Sequence, residues 1–560
     1  ISGNFDANVG ASNDVILTHV GNAIGGDMTI GAVRDVTLKS GSELHMVSAD
    51  ISRNLTITST GRVYNMSGWT VAGDTTINAA GQNVEITADH DFTGSVTVIA
   101  ENLTIHDIND ITFDAITLTG NLTILATGDV TATGIVSVAG RTDIDAGSAT
   151  GAVTFMNAAN DFVGAVSIIQ GGDVALRDVN GLIVGNSDID GTLSITAGGH
   201  VTQNAALIVD GQTSITVAPT FDVSLASVSN DFGATVSVTA DTLNLRDSNA
   251  LALGIVTLTG DLTVASGGDL TGAQQIDVAG TTLLSTNGSD LSLTETTNSF
   301  GGLVTVNRVG NIDLAATATL NFAGATFGLD KDLALSTIGM LTLEGSVFAT
   351  GDMSLTGQGV QVEDLSVGGN LSIDAGTGVL TQVADRTLRV TGTTSLSASD
   401  INLQNEGVLL GAVSVATTGN ATLKARGDLI LSASNIGGIF DLTVDGGITQ
   451  TAAIAVSDAF NLTGNKAKDV DLSNAANDFG RVSVTDVKDL TIGEANTLTL
   501  GGTITGDLTI TAGGAIDLDE TTVAVNLAIL ASTGVTDSGT VSVSGATQIT
   551  STGAVTLDND

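Results

Sequence analysis

Cysteine is absent from all 560 residues, so no disulfide or thiolate metal site is available to the chain. That absence does not fix the redox compartment, because many exported bacterial proteins also lack cysteine. Proline occurs once, at Pro219, which leaves nearly every backbone N–H free for a hydrogen-bond ladder. Aromatic residues are scarce (14 Phe, one Tyr and one Trp), and any core must be aliphatic. Bases are scarce too: 17 Lys and Arg face 60 Asp and Glu, for a net charge of −43. A field of that sign excludes direct binding of nucleic acid or of an anionic membrane surface, and leaves cations and cationic partners open. No apolar run reaches the roughly 18 residues of a membrane-spanning helix. P-loop, Gly-x-Ser-x-Gly, His-Glu-x-x-His and dinucleotide-binding patterns are all missing, and nothing in the sequence requires an enzyme.

What is present is apolar residues at 42%, 70 glycines, and a ladder. The third residue of Leu/Val/Thr-x-Ile triplets returns at Ile30, Ile57, Ile77, Val98, Ile124, Ile144, Ile168, Ile195, Ile215, Val238, Val264, Leu284 and Val306. It continues through Leu335, Leu355, Ile373, Leu396, Val415, Val444, Leu462, Val484, Ile510, Ile529 and Ile549, with a mean step of about 23 residues. A unit so short cannot close a core alone and must bury its apolar face on the next. The triplets alternate, as in Leu193-Ser194-Ile195 and Val223-Ser224-Leu225, which is strand periodicity with Gly, Asn and Asp at the corners. The fold class is therefore all-β, a parallel β-helix solenoid of about 20–27 residues per rung. Tandem β-sandwich domains would need longer strands and bulkier cores, and propeller blades would need about 40–50 residues.

The steps also follow an order. They lengthen from about 20 to about 27 residues between Ile124 and Ile195, then reset and lengthen again between Ile195 and Val264. This defines a three-rung superrepeat of about 70 residues. A corner motif repeats with it: Asn160-Asp161-Phe162, Asn230-Asp231-Phe232, Asn298-Ser299-Phe300 and Asn477-Asp478-Phe479, with a variant at His90-Asp91-Phe92. Each reads as an Asx corner over a buried Phe. The gap between Asn298 and Asn477 is more than twice the usual spacing, and it holds a degenerate copy at Asn405–Val415 and two extra rungs. One continuous array follows, with superrepeats at 1–56, 57–123, 124–194, 195–263, 264–334, 373–443, 444–509 and 510–560 and a two-rung insertion at 335–372. The termini read as cuts in a longer array.

Candidate chemistry is thin. Asp143/Asp145, Asp188/Asp190 and Asp517/Asp519 lie at alternate strand positions, a spacing that would suit glycosidic hydrolysis or Ca²⁺, but each pair lacks a basic or His neighbour and reads as a solvated face. The five histidines form no ligand spacing and read as exposed or corner residues. Ca²⁺ between rungs would use corner Asp and Asn, yet the Gly-Gly-x-Gly-x-Asp repeat is absent; no cofactor is expected. Tyr64 and Trp69 share a rung and are weak candidates for stacking on a sugar, with packing the simpler role. The sequons at Asn54, Asn102, Asn121 and Asn370 all fall at strand entries of the ladder and follow from its pattern.

The units from Gly191 to Gln203 (GTLSITAGGHVTQ) and from Gly506 to Ile516 (GDLTITAGGAI) resemble repeats of filamentous-haemagglutinin-like large exoproteins and of autotransporter passengers. The resemblance implies a right-handed β-helix, export to the extracellular bacterial surface, and a role in adhesion, surface coating or filament formation. It also implies partners: further repeats or copies end to end, and host or cell-surface glycans. The sequence thus points to a non-catalytic structural or adhesive shaft. The alternatives are a β-helix protein that binds or degrades polysaccharide and a Ca²⁺-stabilised export module.

Overall fold

A computed structural model describes residues 1–323 and 331–559, in two compact units, Ile1–Thr282 and Leu283–Asp560. Among the described residues every regular element is a β-strand, and the strands pair in parallel with strands of adjacent turns. The parallel β-solenoid expected from the ladder is the fold.

In the first unit one face stacks Leu103–Asp107, Leu122–Ala126, Thr142–Asp145 and Val166–Gln170, with Ile105 over Ile124, Ile144 and Ile168. Another stacks Val153, Val174, Leu193, Thr213 and Val236. The alternating triplet puts Leu and Ile inward and Ser, Thr or Asp outward, so Ile124, Ile144 and Leu122 are fully buried. Each such side chain contributes roughly 1.5–3 kcal/mol of transfer free energy. Like residues meet above and below, and turns of unequal length can stack because the variation is confined to corners. Pro219 sits in one corner, outside the strands Thr213–Val217 and Val223–Leu225, where no ladder bond needs its missing N–H. Corners also bring backbones together: a Cβ on Gly134 would lie 1.6 Å from the Asp114 carbonyl oxygen.

The registers refine the period. Ile168 pairs with Ile144, whereas Ile195 pairs with Leu176 and Ile215, so the long step from Ile168 to Ile195 crosses from one face to another. The chain makes four turns between Val153 and Val236, and the superrepeat therefore spans about three and a half turns rather than three. Successive corner motifs consequently fall on different columns. Phe162 stacks on Val138 and Leu118, and Phe232 on Val209 and Ile189.

The second unit repeats the plan. Leu341, Val360, Leu380, Ile401, Ala421, Phe440, Phe460 and Val482 stack in one column, and Leu333, Met353, Leu371, Thr394 and Val413 in another. Phe440, Phe460 and Phe479 stack their rings, with centroids 5.2 and 5.5 Å apart. A separate four-stranded sheet, Ser346–Ala349, Asp364–Val367, Thr387–Val390 and Gly407–Leu409, forms a further face.

Candidate functional site

The repeating corner is the most elaborate polar constellation among the described residues. Asn160, Asn230, Asn298 and Asn477 are fully buried, as are Phe162, Phe232, Phe300 and Phe479, while the residue between each pair faces outward. The Asn amide closes its own loop and holds the turn before it. Asn160 donates to the Phe155 carbonyl and accepts the Val136 N–H, at 3.0 and 2.9 Å. Asn230 does the same with Leu225 and Leu207, and Asn477 with Leu472 and Ile454.

The third partner is a buried acid one turn later. The N–H groups of Phe92, Phe162, Phe232 and Phe479 donate to Asp107, Asp178, Asp247 and Glu494, at 2.8–3.0 Å. The second oxygen of each carboxylate takes the N–H of Asn109, Asn180, Asn249 or Asn496. These acids are at most 3% exposed. Burial pushes each carboxyl above its ordinary range, and the two backbone N–H bonds work against that push. Their trace in the sequence is an acid-x-Asn tripeptide 15 or 16 residues after each of these four Phe; at the Phe300 corner Ala315 and Ala316 stand there instead. The tripeptide does not stand out in the sequence, because acids are numerous and the partner lies a full turn away.

His90 is a corner residue, as read from the sequence, and a buried one. It is fully buried at the Asn position, and its Nδ1 accepts the Trp69 N–H at 3.0 Å, the bond that Asn Oδ1 makes elsewhere. In the degenerate copy the structural counterpart of Asn160 is Val408 rather than Asn405. Arg426 N–H donates to the Val408 carbonyl as Val179 N–H does to that of Asn160. Val408, Leu410 and Ala425 then replace Asn, Phe and acid together. Swapping all three partners for apolar groups avoids an orphaned buried group, the costly outcome of removing one alone.

Tyr64 and Trp69 do not make a stacking platform. Trp69 is fully buried, with its indole N–H on the Met46 carbonyl at 2.9 Å and its ring edge-on to His90. Tyr64 is half-buried and already covered, stacked on His45 at 4.4 Å with the Arg62 guanidinium over its ring. Two of the aspartate pairs do have a basic partner, contrary to the reading that each lacks one: Asp143 pairs with Arg141 at 2.6 Å and Asp519 with Arg481, while Asp517 accepts from Ser538. Asp188 lies exposed on its strand. No group of three or more His, Asp or Glu among the described residues is placed to hold a metal ion.

The sequon asparagines belong to an Asx staircase. The side-chain oxygens of Asn54, Asn102, Asn121 and Asn370 accept the N–H of Asp74, Asn121, Arg141 and Thr393, each one turn ahead. Aspartates do the same elsewhere, as Asp332 does for Asp352 and Asp352 for Asn370. Much of the chain's acidity is therefore engaged by corner N–H groups.

These features define a repeat β-helix protein whose polar side chains bind its own turns together. The chain belongs to the family described as "Repeats of unknown function (DUF5649)", whose model matches residues 33–99, 100–169, 171–239, 240–307, 350–416, 418–486, 487–518 and 506–560. The stretch 308–349 lies between matches. No curated protein and no solved structure matches the chain. No helix among the described residues is long and apolar enough to cross a membrane.

Proposed function

We propose that the chain is a non-catalytic structural module, the β-helix shaft of an exported bacterial surface or filament-forming protein with an adhesive role. The observation that carries this reading is the reuse of one inter-turn clamp, Asn to the turn before and acid to the turn after, at Phe162, Phe232 and Phe479. A clamp reused at separate corners along the array serves continuity of the stack. A stack whose turns satisfy one another's polar groups resists local opening, and hydroxyls and carboxylates on its outer faces keep it solvated. The resemblance of the GTLSITAGG-type units to large exoproteins supports the exported setting.

Immunogold electron microscopy and protease shaving of cells carrying the native protein test this. Labelled material projecting from the cell surface, removed by external protease, is the expected result. Label confined to the cytoplasm overturns it.

A further inference from the structure

Outward side chains of the four-stranded sheet in the second unit form a line along the stack: Phe348 beside Ser366, Ser366 beside Arg389, and Arg389 beside Leu409. Arg426 extends the line by one turn, because its N–H donates to the Val408 carbonyl. Ser366, Thr387, Arg389, Gly407, Leu409 and Arg426 line an open cavity of about 590 Å³. It adjoins a second cavity, of about 620 Å³, that shares Arg426 and is lined by bases and acids alike, Lys424 paired with Glu406 and Lys466 with Asp486, and Asp445.

The charge of the first cavity is the reverse of the chain's. No carboxylate lines it, although acids outnumber bases 60 to 17 over the whole sequence. Neither Arg389 nor Arg426 forms an ion pair among the described residues, and both are exposed. The nearby acids are already taken. Glu363 and Asp364 pair with Arg386 at 2.8 and 3.1 Å, Asp364 also accepts the Thr387 N–H, Glu406 pairs with Lys424, and Asp445 accepts the Gly427 N–H. Arg177 and Arg246 also lack ion-pair partners among the described residues, but they stand singly on their strands. Arg389 and Arg426 converge on one cavity.

We infer that this groove binds an acidic oligosaccharide that carries carboxylates spaced along an otherwise neutral backbone. Two guanidinium forks suit bidentate capture of carboxylates, and the Ser366 and Thr387 hydroxyls and the Leu409 face suit sugar hydroxyls and C–H surfaces. Successive turns about 4.8 Å apart lay these groups out in a row, which matches a linear polymer running along the stack. A densely charged polyanion is opposed by the net charge of −43. An extended peptide would need a sheet edge to pair with, and this groove lies on a sheet face. The assignment stands apart from the proposed structural role, and either can fail alone.

Calorimetric titration of the full chain with a hyaluronan octasaccharide tests it, with a neutral chitin oligosaccharide and a poly-glutamate peptide as comparisons. The Arg389→Gln/Arg426→Gln double variant removes the forks. Arg177→Gln/Arg246→Gln makes the same change in net charge elsewhere. Hyaluronan binding to the wild type and to the second variant, weakened at least about tenfold in the first, is the expected result. The inference is overturned by equal affinity in Arg389→Gln/Arg426→Gln, by equal binding of the chitin or glutamate probe, or by no hyaluronan binding at about 1 mM. All four side chains are exposed, and circular dichroism checks that both variants keep the fold.

Discussion

The backbone N–H of Phe162 donates to Oδ2 of Asp178 across one turn of the coil, at 2.9 Å, while Oδ1 of the same carboxylate takes the Asn180 N–H at 2.7 Å. One buried side chain thus satisfies two backbone groups that the strand ladder leaves open at the corner. Asp178→Ala would orphan both and is expected to cost about 1–3 kcal/mol. Asp178→Asn, which keeps one acceptor, is expected to cost less. Hydrogen exchange at the Phe162 amide reads the local effect directly, and unchanged protection in Asp178→Ala would show the bond to be dispensable.

The same carboxylates should give the stack an unusual pH response. Burial raises the pKa of Asp107, Asp178, Asp247 and Glu494 above the ordinary range. Their contribution is therefore fully present below the ordinary carboxylate pKa and is lost as the pH rises through the raised folded value. Relative to an Asp178→Asn/Asp247→Asn variant, the wild type should gain stability as the pH is lowered from 7 towards 4. Parallel stability curves for the two proteins over that range would refute the assignment.

His90 runs the other way. Burial pushes its imidazole down from 6.5 to about 4, so its contribution is complete above pH 6.5 and is lost as the pH falls towards 4. The loss is bounded at about 3 kcal/mol by that interval. His90→Asn restores the residue used at the other corners and keeps an acceptor for the Trp69 N–H. It should abolish this acid sensitivity in denaturant titrations made between pH 7 and 4. If the variant is as acid-sensitive as the wild type, His90 is not the group responsible.

Thr75, Thr142, Thr213 and Thr394 point inward at equivalent places, each stacked between a Leu one turn before and a Val one turn after. They are at most 2% exposed, and none of their hydroxyls has a hydrogen-bond partner. Thr213→Val and Thr394→Val keep the branched shape and remove the unsatisfied oxygen, and each should stabilise by about 1 kcal/mol. A lower urea midpoint in either variant would mean that the hydroxyl is satisfied in solution.

The Asx staircase is expected to tolerate exchange of Asn for Asp but not loss of the acceptor. Asn121→Asp preserves the oxygen that accepts the Arg141 N–H at 2.8 Å, whereas Asn121→Ala removes it and should cost about 1 kcal/mol. Equal stability of the two variants would assign the asparagine to some other role.

The amino-acid sequence by itself determined the fold class and the burial pattern. Strand alternation and a short repeating interval are local properties, and triplets such as Leu193-Ser194-Ile195 state both which face is inward and that another turn must cover it. Burial of Phe beneath each Asn-x-Phe corner was legible for the same reason. Only the tertiary structure decided what meets across a turn. It revealed the half-turn offset that sends Phe162 and Phe232 to different columns, and the acids that close the corners from a full turn away. It also buried Trp69 and His90, and it brought Arg389 and Arg426 together in a cavity that no acid lines. These relationships depend on corner lengths, which set the register between turns, and a register is a property of the stack as a whole rather than of any one strand.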